Sequence, residues 1–378
     1  MWRANILWVL GVPALVRAAT YPLIESWSGN GFMNGFKYPV ETYDNTTNGD
    51  VFWATAANTS LIYVTSAGTV VLKVDNTTVV PYNEKRYTPK LLSKTQYAAG
   101  TVFVMDLIHM PYGCSVWPAL WTQGNDWPKG GEIDIMEGIN QQTTNQIALH
   151  TNTSTCTQSS STSFSGTAGW NDCSIETNND SGCIVNDTRT DSYGAAFAQA
   201  GGGVFIAEFS DDAISVWFLT RSDVPSNLSV SSNSIDTSTL GEAAAIYSSS
   251  TCSISNNFSP QTLTIDITLC GAWAGLASVL EQTCPPLSGT ATCYTTYVIN
   301  QDPGTTYANA YFEFNYINIF SSSGNSSISA SKSGSGATST ITAGAGTSSS
   351  GSTSGTGRLT WSGLGMFLTG VMGYVLVR

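Results

Sequence analysis

Residues 130–138 read Gly-Gly-Glu-Ile-Asp-Ile-Met-Glu-Gly, and they place three carboxylates close together in a chain with only 11% charged residues. Glu132 and Asp134 alternate with Ile133 and Ile135, which is the period-two pattern of a strand with one apolar and one polar face. Acidic residues are disfavoured in strands, so their presence here points to a functional role. The stretch therefore predicts a β-strand that carries Glu132 and Asp134 on one face.

Glu137 follows Glu132 by five residues and would point to the opposite face of a regular strand. One extra residue in the Ile135 to Met136 stretch would form a β-bulge and return Glu137 to the face of the other acids. We predict this bulge. Two converging glutamates suit a retaining glycoside hydrolase, in which the carboxyl groups lie about 5 to 5.5 Å apart. The alternatives are a solvated face of an amphipathic strand and a calcium site built from neighbouring carboxylates.

Three acids at such close range cannot all ionise without cost, so their pKa values should separate and one acid should keep its proton. We assign that proton to Glu137, as the candidate acid catalyst. We expect Asp134 to form a hydrogen bond with Glu132 and to tune it.

Three tryptophans, Trp117, Trp121 and Trp127, precede the acids. The flat C–H faces of sugar rings stack on aromatic rings, whereas tryptophan is otherwise a core or interface residue because of the area it buries. Trp117 and Trp121 are four residues apart and share a face of an extended segment. We favour Trp117 and Trp127 as sugar platforms, with Trp121 as a third candidate, and expect at least one of the three to serve the core.

The chain has only two histidines, His109 and His150. Residues 146–151 follow the acidic strand after a polar turn, so the two strands should pair as a hairpin. His150 would then lie on the face of the acids, within cross-strand reach of Glu132 or Asp134. We predict a hydrogen-bonding role for His150, with a purely structural role as the alternative, and a structural role for His109.

Together these motifs resemble glycoside hydrolase family 16, in particular its fungal laminarinase-type endo-β-1,3(4)-glucanases. The resemblance extends from about residue 20 to residue 320. It implies an all-β fold, namely a curved two-sheet antiparallel β-sandwich of the jelly-roll, concanavalin-like type with a concave sugar-binding cleft. Besides the acidic stretch, the segments that carry it are 109–114, 117–121, 192–194, 201–203, 216–218, 270–275 and 307–311.

The resemblance implies that Glu132 is the nucleophile, Glu137 the acid/base and Asp134 an assisting carboxylate in the hydrolysis of β-1,3 or mixed β-1,3/1,4 glucan. Trp273 is a further candidate for substrate binding, although Ala272 stands where relatives often carry an aspartate. The expected partner is a β-glucan polysaccharide, and the chemistry needs no metal or organic cofactor. A glucan transglycosylase would use the same residues, and a glucan-binding protein without activity would typically have lost the acids.

Short runs rich in Val, Ile, Tyr and Phe between turn signals predict one all-β domain over residues 20–320. The net charge of −12 argues against a nucleic-acid partner, which would require a basic stripe. We expect a monomer. The predicted strands include residues 60–64, 69–74, 101–107, 204–209, 214–219, 263–269 and 311–320.

The ends of the chain predict export and anchoring. Residues 1–19 have a basic start, an apolar centre and a small-residue exit, as secretory signal peptides do. Residues 321–357 are almost wholly Ser, Thr, Gly and Ala and predict a disordered stalk, and residues 358–378 form a hydrophobic tail. The tail predicts a glycosylphosphatidylinositol (GPI) anchor signal, with a membrane-spanning helix as the alternative. We therefore expect a secreted protein that a lipid anchor holds at the plasma membrane or cell wall.

Eight cysteines in an exported chain suggest up to four disulfides. Only the near pairs Cys173 with Cys183 and Cys284 with Cys293 can be proposed from the sequence. Nine Asn-x-Ser/Thr sequons also predict surface glycans.

Overall fold

A computed structural model of the protein describes residues 20–323 and 327–329. The predicted signal peptide, the tail and most of the predicted stalk lie outside the described residues. The described strands are β1 (Thr20–Trp27), β2 (Phe36–Lys37), β3 (Val51–Trp53), β4 (Ile62–Val64), β5 (Val70–Lys73), β6 (Arg86–Thr88), β7 (Lys90–Tyr97), β8 (Thr101–His109), β9 (Val116–Gly124), β10 (Glu132–Glu137), β11 (Gln146–His150), β12 (Thr167–Ala168), β13 (Cys183–Asn186), β14 (Gly203–Phe209), β15 (Ala213–Thr220), β16 (Ser234–Asp236), β17 (Ala245–Ser248), β18 (Gln261–Leu269), β19 (Tyr311–Ser321) and β20 (Ser327–Ser329).

Helices are short and lie between strands. Among the described residues, no helix is long and apolar enough to span a membrane. The α-helices are α1 (Gly194–Gln199), α2 (Ile254–Asn257), α3 (Gly271–Ala274), α4 (Ala277–Leu280) and α5 (Pro303–Thr306); a π-helical turn spans Tyr294–Val298, and 3-10 turns span Gly29–Asn34, Asn178–Asp180, Arg221–Asp223 and Thr237–Thr239.

Two antiparallel sheets form the sandwich. The acid sheet, named for the three acids on β10, has the order β12-β13-β11-β10-β9-β18-β7-β2, and β20 also pairs with β7. The opposite sheet has the order β16-β1-β19-β8-β14-β15-β17, with β5 on β19 and β4 on β5. A small parallel pair, β3 with β6, lies outside both sheets. The all-β prediction is confirmed, and every apolar run named from the sequence overlaps a strand: β4, β5, β8, β14, β15, β18 and β19.

Residue alternation along the strands builds two apolar layers. Phe103 and Met105 of β8 belong to the main core, which also contains Ile133 and Ile135 of β10 and therefore joins the two sheets. Their neighbours along β8 belong to a second buried cluster, which residues 224–243 help to cover on the outer side of the opposite sheet. Each fully buried aliphatic or aromatic side chain stabilises the fold by about 1.5–3 kcal/mol. One face of the acid sheet thus packs on the main core, and its other face carries the polar residues.

The eight cysteines form four disulfides, and the sequence predicted one of them. Cys173–Cys183 is confirmed, but the predicted pair Cys284–Cys293 is wrong. Cys284 joins Cys114, 170 residues away in sequence, and Cys293 joins Cys270, which directly follows β18. Short separation in sequence did not identify these cysteine pairs, because the segment after β18 packs against the start of β9 and this packing determines the partners. The fourth bond is Cys156–Cys252.

Strand pairing extends into the first part of the predicted stalk. β19 extends to Ser321, and Ser327–Ser329 pair with residues 95–97 of β7. Backbone hydrogen bonding to an available sheet edge therefore continues past residue 320, although the composition there favours disorder.

Candidate active site

The predicted bulge is present in β10. Against β11, Glu132 pairs with His150 and Asp134 with Ala148, but Glu137 pairs with Gln146, so the register shifts between Asp134 and Glu137. Against β9 the register shifts between Asp134 and Met136. The additional residue restores the parity of Glu137, and all three acids therefore lie on one surface, which we call the acid face.

Two of the predicted tryptophans contact the two glutamates directly. The indole N–H of Trp127 donates a hydrogen bond to Glu132. The indole N–H of Trp117 donates to Oε1 of Glu137 at 2.7 Å. Both glutamates are partly exposed, whereas Asp134 between them is buried. The arrangement fixes the two carboxyl groups and leaves them open to a ligand.

His150 lies between two aspartates. Its Nε2 is 3.3 Å from Oδ2 of Asp134, and its Nδ1 is 3.6 Å from Oδ1 of Asp180. The expected hydrogen bond from Asp134 to Glu132 is not among the bonds of the described residues, so that prediction is wrong. Two carboxylates repel each other, and the imidazole offers Asp134 an opposite charge instead.

Burial raises the pKa of both glutamates. For Glu137, burial and the charge of Asp134 raise the pKa from 4.5 to about 8, against the opposing effect of the Trp117 hydrogen bond. For Glu132, burial and Asp134 raise the pKa, and the charge of His150 opposes that rise. The charge of His150 opposes the rise for both glutamates. Because His150 pairs with Glu132 in the register, we place the proton that the two glutamates share on Glu137.

Burial alone would lower the pKa of His150. The nearby carboxylates of Asp134 and Asp180 outweigh that effect and raise the His150 pKa well above its ordinary value. The ring therefore carries a positive charge at neutral pH and compensates part of the negative charge on the acid face.

Trp121 also lies on the acid face, since it pairs with Asp134 in the register. Its indole N–H donates to Oδ1 of Asp266 on β18 at 2.8 Å, and the ammonium of Lys90 lies 3.6 Å from the other oxygen of Asp266. Lys90 also lies over the Trp121 ring, 5.5 Å from its centroid. Trp121 therefore contacts the Lys90–Asp266 pair on the acid face, and its indole N–H does not bind a glutamate.

Trp273 lies beside Trp117. The two rings meet edge to face, with centroids 5.4 Å apart. The structure thus brings together all the residues predicted to form the site: Glu132, Asp134, Glu137, Trp117, Trp121, Trp127, His150 and Trp273. His109 lies on the opposite sheet, where its Nδ1 is 2.8 Å from the carbonyl oxygen of Tyr311, in keeping with a structural role.

Sequence reasoning missed Asp266, Lys90 and Asp180. A signal for Asp266 was present, because β18 alternates four apolar residues with Thr262, Thr264, Asp266 and Thr268, which should share the polar face. Asp180 had no such signal. It belongs to a turn in which residues 178–180 all have positive φ, and only folding brings that turn to His150.

The residues that could hold a metal ion in the described part of the chain are Glu132, Asp134 and His150, whose ligand atoms lie within 4.8 Å of one another. Calcium takes six to eight oxygen ligands, for which two carboxylates and an imidazole are a poor set. A protonated His150 also opposes coordination of a transition metal. We therefore assign the cluster to acid–base chemistry.

Comparison with known proteins identifies relatives of the chain. Residues 36–320 match the family described as "XgeA-like, catalytic GH16 domain". A Neosartorya fischeri protein named as a probable endo-1,3(4)-beta-glucanase is 37% identical over 314 residues, which is 80% of this chain and 46% of that protein. The chain spans between 44% and 64% of the length of the first curated relatives it matches.

Solved structures are similar over the same region. GH16 Laminarinase 16A from Phanerochaete chrysosporium, solved with two beta-glucans in its donor and acceptor sites, is 32% identical and aligns with a TM-score of 0.74. An elongating GH family 16 beta-1,3-glucosyltransferase is 35% identical, with a TM-score of 0.72. Each match covers 80% of this chain and all of the other chain.

Proposed function

This chain belongs to glycoside hydrolase family 16, and on that basis we propose that it is a retaining endo-β-glucanase acting on β-1,3 or mixed β-1,3/1,4 glucan. The observation that carries the proposal is the bulge in β10, which brings Glu132, Asp134 and Glu137 to one face. Two partly exposed glutamates, each held by an indole N–H, are the groups that a double displacement requires.

In the proposed mechanism, Glu132 attacks the anomeric carbon while Glu137 donates its proton to the departing glycosidic oxygen. This step forms a covalent glycosyl-enzyme and leaves Glu137 ionised. Glu137 then takes a proton from a water molecule, which attacks the same carbon and releases the sugar with its configuration retained. The raised pKa of Glu137 supports its role as the acid, and the charge of His150 opposes part of the rise in the pKa of Glu132.

A glucan substrate agrees with the other groups on this face. The Trp127 ring is 43% exposed and adjoins Glu132, and Trp117 with Trp273 adjoins Glu137. Aromatic surfaces on both sides of the acids suit a chain of neutral pyranose rings on either side of the bond to be cleaved. The two beta-glucans in the related laminarinase structure support the same substrate class.

Isosteric substitution tests the proposal. Glu132→Gln and Glu137→Gln should each lower kcat on laminarin by about 10²–10⁴-fold while the protein stays folded. The matched control is Glu313→Gln, since Glu313 is also partly exposed but lies on the opposite sheet. NMR of the first product formed by the unaltered protein should show the β-anomer, because the mechanism retains the configuration. Near-normal turnover in both variants would refute the assignment, and binding without turnover by the unaltered protein would favour a non-catalytic glucan-binding function.

A second function, transfer of the glycosyl group to a sugar hydroxyl, needs the same acids. The similarity to an elongating beta-1,3-glucosyltransferase favours it specifically. Product analysis with labelled laminari-oligosaccharides separates the two functions. Longer labelled products would indicate transfer, and accumulation of reducing ends would indicate hydrolysis.

We also propose that the protein acts outside the cell and is held at its surface by a lipid anchor. Complete pairing of the cysteines in the described residues supports an oxidising compartment. The compositions of residues 1–19 and 358–378 support export and a GPI signal. Phosphatidylinositol-specific phospholipase C should release the protein from intact cells, and retention after that treatment would contradict the lipid anchor.

A further inference from the structure

The bulge in β10 removes two backbone groups from the regular ladder with β11. Between the pairs Asp134 with Ala148 and Glu137 with Gln146, one more residue lies on β10 than on its partner. The N–H of Glu137 and the carbonyl of Ile135 therefore need partners from outside the ladder. A buried backbone group without a partner costs about 1–3 kcal/mol.

The side chain of Asn145 supplies both partners. Its Oδ1 accepts the N–H of Glu137 at 2.9 Å, and its Nδ2 donates to the carbonyl of Ile135 at 3.0 Å. A carboxamide has the same donor and acceptor as a backbone amide, so Asn145 takes the place of the missing peptide group of the partner strand.

Asn145 is itself held in place. Its backbone N–H donates to Oγ of Ser192 at 2.9 Å, and its carbonyl accepts the N–H of Asp187 at 2.9 Å. The side chain is fully buried, so water cannot replace it. These contacts hold Asn145 in place, and its side chain in turn holds the backbone nitrogen of Glu137, which is bonded to the α-carbon that carries the Glu137 side chain.

We propose that Asn145 is a positioning residue that holds the bulge in the form that turns Glu137 onto the acid face. Asn145 touches no substrate and acts only through Glu137. The inference rests on the proposed function of Glu137 as acid/base, and it adds a requirement for a carboxamide at position 145. A displacement of the reacting group by about 1 Å is enough to cost roughly 10²-fold in rate.

A merely structural buried amide would behave differently, and the chain offers a matched control. Asn318 is also fully buried, but it lies on β19 in the opposite sheet and donates to the carbonyls of Ser229 and Val230. Asn318→Leu should lower stability and leave kcat and its pH profile unchanged.

Two variants at position 145 test the proposal on laminarin. Asn145→Leu removes both hydrogen-bonding atoms and should lower kcat by about 30–100-fold, with KM changed less than about threefold. Asn145→Asp keeps the shape, and its carboxyl, when protonated, offers the same donor and acceptor. This variant should approach wild-type kcat at acidic pH and lose activity as that carboxyl ionises, at a pH below the basic limb of the wild type. Circular dichroism and thermal unfolding show whether each variant is folded. If Asn145→Leu does not fold, Asn145→Asp alone tests the proposal.

The outcomes separate the two proposals. If the wild type and Asn318→Leu hydrolyse laminarin but folded position-145 variants keep kcat within about threefold at every pH, the role of Asn145 is refuted and the function stands. If the wild type neither hydrolyses nor transfers glucan, both proposals are refuted. Loss of kcat in Asn145→Leu together with rescue of Asn145→Asp at acidic pH supports the positioning role.

Discussion

Replacing Glu137 with glutamine should stabilise the folded protein, increasingly so as the pH rises. Burial and the charge of Asp134 raise the pKa of Glu137 from 4.5 to about 8. A carboxyl with a higher pKa in the folded state than in the unfolded chain binds its proton more tightly when folded. Its contribution to stability is therefore present below about pH 4.5 and is lost as the pH rises to about 8. Glutamine keeps an oxygen for the Trp117 N–H and has no proton to lose.

The magnitude follows from the size of the shift. One pKa unit corresponds to about 1.4 kcal/mol, so a rise from 4.5 to about 8 is worth at most about 5 kcal/mol above pH 8 and about 3 kcal/mol at pH 7. Glu137 is partly exposed, and solvent screens part of this cost. We therefore expect Glu137→Gln to raise the free energy of unfolding by about 1–3 kcal/mol at pH 8 and by little at pH 5.

Urea unfolding at both pH values measures the effect, with Glu313→Gln as the control. The difference in unfolding free energy between Glu137→Gln and wild type should grow by at least about 1 kcal/mol from pH 5 to pH 8. The same difference for the control should stay constant. A Glu137→Gln difference that stays constant within about 0.5 kcal/mol, or that shrinks, would refute the reasoning that the folded protein strains this carboxyl. The expected gain in stability with loss of activity is the trade-off typical of active sites.

Three further predictions concern the surroundings of the acids. Asp180→Asn should lower the pKa of His150, because the ring loses one of the two carboxylates that favour its positive charge. An NMR titration of the His150 ring measures this, and an unchanged pKa would contradict it. Lys90→Met leaves the nearly buried carboxylate of Asp266 without the ammonium that lies 3.6 Å from it in the wild type. The free energy of unfolding in urea should fall by about 3 kcal/mol, whereas a loss below about 1 kcal/mol would show that the pair is solvated. Mass spectrometry of the unreduced protein should recover the four disulfides described above, and a peptide joining Cys284 to Cys293 would be evidence against this fold.

Features that depend on neighbours in sequence were predictable. The alternation around Glu132 and the spacing to Glu137 predicted the strand and its bulge, and the register confirms both. The polar turn after that strand predicted the hairpin with β11, which places His150 opposite Glu132. These predictions succeeded because residue parity along a strand and pairing across a short turn are local consequences of backbone geometry.

Contacts between distant segments were not predictable. Trp121 was a third candidate for stacking, with a core role as the alternative, but its indole N–H donates to Asp266, 145 residues away. Cys284 was paired with a near cysteine, and Asn145 was regarded only as part of a polar turn. For Trp121 and Cys284, the partner lies in an element whose place depends on the order of strands in the sheet, which no single segment encodes. The partners of Asn145 lie only 8 and 10 residues away, but the composition of the turn did not show which of its side chains would fill the bulge.

By itself the sequence determined the class of fold, the three acids and the face that they share, because side-chain direction in a strand follows from counting residues. Tertiary structure alone decided which distant groups surround those acids, namely Asp180 beside His150 and the Lys90–Asp266 pair beside Trp121. The physical reason is that burial and the distances between charges set the pKa of Glu137, and both exist only after strands far apart in sequence have packed together.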